Sequence, residues 1–339
     1  MNRKNFLSSI VPVASSLTAI AKGNISDESE NLLKVPAYLK QGDVIGITSP
    51  SGYITLEDIQ PAIDKLKEWG YNVLVGRTIG KRDFTFGGTD EDRLDDLQSM
   101  LYDNDIKAIL CARGGYGLVR IIDKIDFTKF KKRPKWIIGF SDVTTLHCHI
   151  NKNFGIATIH SKMCNSFPSN WSKADESQKL SIHTIRMCLT NEKIHYAILP
   201  NAKNKFGNVS GILVGGNLRN IETLSGTKSD LITKNKILFL EDTGEYLYNI
   251  DRMLWNLKRT GKLAHLKALL IGGFKTKPDD VGEEFGKTIE EIVLEKVEEY
   301  NYPVCFNFPV GHQKENFALK CGVQHKLNCN EFTCTITEI

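Results

Sequence analysis

From about residue 43 the chain alternates between short uninterrupted apolar runs and longer stretches in which apolar residues recur every three or four positions. "DVIGITS", Asp43 to Ser49, is the first run, and Pro50, Ser51 and Gly52 stop it at once. A run of that length bounded by turn formers predicts a strand buried on both faces, ending at about Ser49. "LEDIQPAIDKLKEWG" then spaces Ile59, Ile63, Leu66 and Trp69 at helical intervals and stops at Gly70; Pro61 fits this helix only within its first turn. "YNVLVG" predicts a second strand, "DEDRLDDLQSMLYD" a helix with acids where they favour its dipole, and "IKAILCA" a third strand. Such alternation predicts a doubly wound, mostly parallel sheet of the α/β class.

The pattern changes after about Asn165, where the polar stretch "NSFPSNWSKADESQ" precedes a helix at "KLSIHTIRMCLT". Beyond it, strands are expected at "GNVSGILVG", "KILFLE", "KALLIGGF" and "PVCFNFPVG", and helices near Tyr246 to Thr260 and Thr288 to Tyr300. A closing strand group follows near "FALKCG", "QHKLNCN" and "FTCTITEI". The expected organisation is an N-terminal α/β domain over 38–165, a linker and connecting helix over 166–200, and a mixed α/β domain over 201–339. The first residues read differently. Arg3 and Lys4, a mildly apolar stretch, then Ala19, Ile20 and Ala21 have the layout of a cleavable export signal over 1–21 with a linker over 22–37. The basic pair before Asn5, Phe6 and Leu7 fits a twin-arginine signal with lysine in second place, and cleavage would direct the protein to the periplasm. Without cleavage the protein is expected in the cytoplasm.

Composition narrows the partners. Forty-four basic against 40 acidic side chains leave a net charge of +4, with no basic stripe, so nucleic acid is not expected as a partner. No apolar run is long enough to anchor a mature chain across a bilayer. Eight cysteines contain no Cys-x-x-Cys pair and sit mainly in apolar runs, which predicts buried free thiols and no structural metal.

Ligands of α/β sheets gather at the carboxyl ends of strands, and three such ends are unusual here. In "CARGGYGLVRIID" the adjacent Gly114 and Gly115 allow a tight turn whose N–H groups can face an anion or oxyanion, with Tyr116 beside them. The full Gly-x-Gly-x-x-Gly spacing is missing, so a dinucleotide cofactor is a poorer reading. In "KWIIGFSDVTTLHCHI" Ser141 falls where a strand gives way to a helix, the placement of an exposed nucleophile, though in isolation a plain helix cap is the better account of it. "KILFLEDTGEYLYNIDRML" puts Glu241 directly after an apolar run, with Asp242 and Glu245 as rivals better suited to solvent or helix capping. "PVGHQ" puts His312 in a loop after a strand. The other histidines have blander accounts: His147 and His149 on the helix after Ser141, His183 and His265 on helices, His195 and His325 on strands. His160, after a short strand, keeps a claim to the pocket.

Five ordered blocks, "RGGYGLVRIIDKIDF", "IIGFSDVTTL", "ILVGGNLRNIETLSGT", "ILFLEDTGEYLYNIDRMLWNLKRTGKL" and "PVGHQ", resemble the LD-carboxypeptidases, a serine peptidase family that includes the microcin C immunity proteins. The resemblance runs from about Lys40 to Cys334. It implies a two-domain α/β hydrolase with Ser141 as nucleophile, Glu241 as orienting acid and His312 as base. Backbone N–H groups of Gly115 and Asp142 would form the oxyanion hole, and Gly114, Tyr116 and Asn217 would contact substrate. It also implies a homodimer without metal or cofactor that removes the terminal D-alanine from cell-wall tetrapeptides. An immunity-type amidase acting on peptidyl-nucleotides is the alternative within the family, and a non-catalytic peptide or anion binder the alternative outside it.

Overall fold

The computed structural model describes residues 33–339, so the expected export signal and most of the linker after it lie outside the described residues. Two sheets carry the fold. The first contains β1 (Val44–Thr48), β2 (Asn72–Val75), β3 (Ile106–Cys111), β4 (Trp136–Gly139) and β5 (Thr158–His160), parallel throughout, with a late strand on its edge. The helices α1 (Leu56–Glu68) and α2 (Asp90–Tyr102) are crossovers between these strands. Both begin with a reciprocal capping box, Thr55 with Asp58 and Thr89 with Asp92, which satisfies N–H groups that a helix start leaves unpaired. Pro61 lies in the second turn of α1, beyond the first turn to which the sequence confined it. It costs the bond that would reach the Glu57 carbonyl, and the capping box and the buried face of Ile59, Ala62, Ile63 and Leu66 hold the helix nonetheless.

Short helices α3 (Leu118–Ile121) and α4 (Thr128–Lys132) follow β3, and α5 (Thr144–Phe154) follows β4. After α6 (Glu176–Leu189) the chain builds the second sheet from β6 (His195–Ile198), β7 (Gly207–Asn217), β8 (Lys236–Glu245), β9 (Ala268–Thr276) and β10 (Val304–Cys305). Helices α7 (Leu218–Thr223), α8 (Leu247–Arg259) and α9 (Ile289–Val297) intervene. Of the last strands, β11 (Leu319–Cys321) crosses back to pair antiparallel with β5, whereas β12 (Gln324–Cys329) and β13 (Cys334–Glu338) complete the second sheet. The orders are β11-β5-β4-β3-β1-β2 and β10-β9-β8-β7-β12-β13-β6. Chain from the second half therefore finishes the first sheet, and β6, inside the stretch read as a linker, joins the second.

In the first sheet β2 lies on one side of β1 and β3 on the other, so the loops after β1 and β3 diverge at a topological switch point, where α/β sheets open a crevice. The wall shared with the second sheet is α5: the Asn217 N–H at the end of β7 donates to Thr144 Oγ1 at 3.0 Å. A Cβ on Gly216 would come within 2.5 Å of that oxygen, so the approach depends on glycine.

Six cysteines are buried free thiols, as the sequence predicts, but Cys329 and Cys334, paired across β12 and β13, form a disulfide. His265 lies in a turn and not on a helix. Burial holds His147 and His325 neutral, their pKa values pushed down to about 4. The folded-state values are depressed, so the stability they contribute is present above pH 6.5 and is lost as pH falls toward 4, by up to about 3 kcal/mol each. Urea unfolding at pH 7.5, 5.5 and 4.5 should show this loss, and His325→Gln should reduce the slope against pH by about one proton. An unchanged slope would assign the loss to carboxylates.

Candidate active site

Ser141 stands one residue past the end of β4, after Phe140, and opens a single 3-10 turn that leads into α5. Its φ is +62°, a left-handed conformation that an L-residue with a side chain adopts at a cost of order 1–3 kcal/mol. Such a bend turns the hydroxyl out of the sheet end, and the surroundings enforce it. Gly139, φ +157°, packs so close to Val143 that a Cβ would come within 2.9 Å, and a Cβ on Gly114 would sit 3.0 Å from Ser141 Oγ. Gly114 is thus the backing of the serine, and its neighbours Gly115 and Tyr116 line the pocket in front.

The side chain of Asp142 has a structural task of its own. Its carboxylate is buried and accepts from Ser51 Oγ at 2.6 Å and from the Leu118 N–H at 2.9 Å. One side chain ties the loop after β1, the glycine turn after β3 and the serine turn after β4. Burial pushes its pKa up despite these bonds. The Gly52 N–H donates to the Gly114 carbonyl at 3.1 Å and fastens the same loops. Asp142 is the second residue of its turn, so its N–H has no intrahelical partner.

From the second sheet come an acid and a histidine. Glu241 is in register with Asn217 of β7 and fully buried. The strand β8 does not end there, as the sequence suggested; it runs to Glu245, and its pairing with β9 slips between Leu240 and Asp242. A bulge of this kind re-aims side chains. Glu241 Oε2 accepts from His312 Nδ1 at 2.6 Å. A carboxylate can only accept, so Nδ1 carries the proton and Nε2 presents a lone pair. Gly311, φ +101°, would place a Cβ 2.4 Å from Glu241 Cβ. Gly311→Ala should therefore part histidine from carboxylate and lower activity by roughly 100-fold or more, which a steady-state assay checks.

The ring of His312 lies 4.8 Å from that of Phe140, the residue before Ser141. No hydrogen bond joins Ser141 to His312 among the described residues; such bonds often tighten only when substrate is seated. Ser141, Gly115, Tyr116, Asp142 and Asn217 line one pocket of about 350 Å³.

The remaining sequence candidates sort clearly. His160 is fully buried, packed against Phe140 and Phe239, and does not line the pocket. Asp242 is not solvated: it accepts from Asn217 Nδ2 and the Arg219 N–H, both at 3.0 Å, and burial beside Glu241 raises its pKa to about 6. Glu245 pairs with Arg219. Sequence reading missed Ser51, Arg219 and Asn220. Asn220 Nδ2 donates to Asn217 Oδ1 at 3.0 Å and to the Ser141 carbonyl at 3.3 Å, a link between the lobes. The Asn-x-x-Asn spacing of "GGNLRN", a capping residue followed three places on by a second amide, was the available signal.

The LD-carboxypeptidase N-terminal domain matches residues 45–161 and the C-terminal domain of the same family matches residues 210–327. The chain belongs to the LD-carboxypeptidase family. A probable murein peptide carboxypeptidase of Bacillus subtilis is 32% identical over 303 residues, 89% of this chain and 93% of that protein. The crystal structure of a muramoyltetrapeptide carboxypeptidase from Oxalobacter formigenes superposes with a TM-score of 0.77 at 27% identity, covering 87% of this chain and 98% of that one. An MccF-like protein from Bacillus anthracis superposes at 0.76 with 25% identity, covering 90% and 99%. The chain has the two-domain architecture of those structures. No helix among its described residues is long and apolar enough to cross a membrane.

Proposed function

We propose that this member of the LD-carboxypeptidase family releases the terminal D-alanine from murein tetrapeptides through an acyl-enzyme on Ser141. The observation that carries the reading is the 2.6 Å bond from His312 Nδ1 to a fully buried Glu241, which leaves Nε2 free to take a proton. His312 Nε2 accepts the Ser141 hydroxyl proton as Oγ attacks the carbonyl of the third residue. The N–H groups of Gly115 and Asp142 face the developing oxyanion, where a single such donor is worth about 100-fold or more. The C–N bond then breaks, His312 returns its proton to the departing amine of D-alanine, and water hydrolyses the ester with His312 again as base. Glu241 holds the imidazole tautomer and offsets its transient charge. The names of the Bacillus subtilis and Oxalobacter relatives support the substrate.

Incubation of the purified protein with L-Ala-γ-D-Glu-diaminopimelate-D-Ala should yield tripeptide and free D-alanine by mass spectrometry. An intact tetrapeptide after exhaustive incubation would refute the proposal. Cleavage of a peptidyl-nucleotide instead would move the protein to the immunity branch, on the side of the MccF-like neighbour. Binding without turnover of either would leave a non-catalytic binder. We further propose export with cleavage after Ala21, and action as a homodimer without metal or cofactor. A mature N-terminus at Met1 or Asn2, or a monomer by sedimentation, would contradict the first and second.

A further inference from the structure

Beside Ser141 the pocket holds a charged pair that the proposed chemistry does not use. Arg219, in the first turn of α7, directs Nε and Nη2 to the two oxygens of Glu245 at 3.0 and 2.9 Å. Both residues line the same pocket as Ser141, Gly115 and Asp142. Each is held from behind. The Arg219 N–H is bonded to Asp242, Asn249 Nδ2 donates to Glu245 Oε2 at 3.0 Å, and the Glu245 carbonyl accepts from the Lys277 N–H at 2.9 Å. The Arg219 side chain is 38% exposed and that of Glu245 19%, a setting in which an ion pair adds about 0–1 kcal/mol to stability. Stability alone is a weak reason for so constrained a pair.

We propose that Arg219 and Glu245 together read a free α-amino acid group on the substrate, an ammonium and a carboxylate carried on one carbon. The inference rests on the tetrapeptidase reading and names the feature of its third residue that would be recognised. Two of the five guanidinium N–H donors serve Glu245, and Nη1 reaches only Glu222, at 3.7 Å, which leaves donors for a carboxylate. Glu245 keeps lone pairs for an ammonium. Arg219, Asp142, Asp242 and Glu245 are the charged residues lining the pocket, and the Asp142 and Asp242 carboxylates are buried and bonded to loop and backbone donors. A lone carboxylate entering it would gain Arg219 but meet Glu245 beside it. A group that brings both signs meets a partner for each, and when the pocket is empty the pair neutralises itself. The free end of diaminopimelate is such a group, whereas lysine in that position offers only the ammonium.

The test compares kcat/KM for two tetrapeptides that differ only in diaminopimelate or L-lysine at the third residue. The native enzyme should prefer diaminopimelate by roughly 10- to 100-fold, the worth of a charge-assisted hydrogen bond pair. Arg219→Gln should bring the ratio to within about threefold of unity by lowering the diaminopimelate reaction much more than the lysine reaction. Arg219→Lys, which keeps the charge but loses the fork, should give an intermediate ratio and guards against misfolding of the first variant. Equal use of both peptides by the native enzyme would overturn the inference and leave the peptidase reading intact. So would an equal fall for both in Arg219→Gln, which would mark recognition of the terminal D-alanine carboxylate or a scaffold pair. Failure of the native enzyme on both peptides would overturn the tetrapeptidase reading itself.

Discussion

Replacing Ser141 by alanine is expected to lower kcat by about 10⁴-fold or more while leaving tetrapeptide binding nearly intact. The variant lacks the attacking oxygen but keeps the glycine turn, the Asp142 ties and the pocket, since Ser141 Oγ forms none of the bonds that hold these loops. Calorimetric binding beside a discontinuous assay separates the two effects. Residual turnover within tenfold of the native enzyme would exclude Ser141 as nucleophile. A companion variant reads the backbone: Ser141→Gly should be equally inactive yet more stable by about 1 kcal/mol, because glycine adopts φ +62° without strain. A matched loss of stability would place the benefit of the serine in its packing against Gly114.

Glu241→Gln is expected to cost about 10⁴ in kcat with little change in KM. The carboxylate lies behind the histidine, fully buried, and does not line the pocket, so substrate binding should not sense the change. What is lost is the charge that offsets an imidazolium and the acceptor that keeps the proton on His312 Nδ1. The substitution is nearly isosteric and removes a buried charge, so thermal stability should hold or rise slightly. A large rise in KM with kcat preserved would mean that Glu241 serves binding and would return Asp242 to consideration as the orienting acid.

Particular residues show how much could be read before the fold was known. Ser141, Glu241 and His312 could be picked out as candidates because each breaks a local pattern, a polar residue where an apolar run stops or a histidine after a Pro-Val-Gly turn, and their joint placement at strand ends set them above their rivals. Position relative to a strand end is a local property, and local periodicity survives in sequence. Two features of the same residues were not legible. The bulge at Glu241 arises from the pairing of β8 with β9, a partner that begins 27 residues beyond Glu241. The left-handed φ of Ser141 is imposed by Gly114, on another strand end, and by the Gly139 contact with Val143. His160 was misplaced for a related reason: it is the last residue of β5 and does not follow the strand, and Phe140 and Phe239 close over it from both lobes.

The sequence by itself determined the α/β class, most of the order of strands and helices, the two-part organisation and the three residues proposed here as catalytic. These follow from periodicity, turn formers and the ordered blocks shared with a family, all of which act over short stretches of chain. Only the tertiary structure decided that β11 returns to the first sheet, and that Asp142 fastens three loops from inside. It alone brought Arg219 and Glu245 together beside the serine. Each of these joins residues far apart in the chain, where the free energy lies in contacts between elements and no single element records its partner.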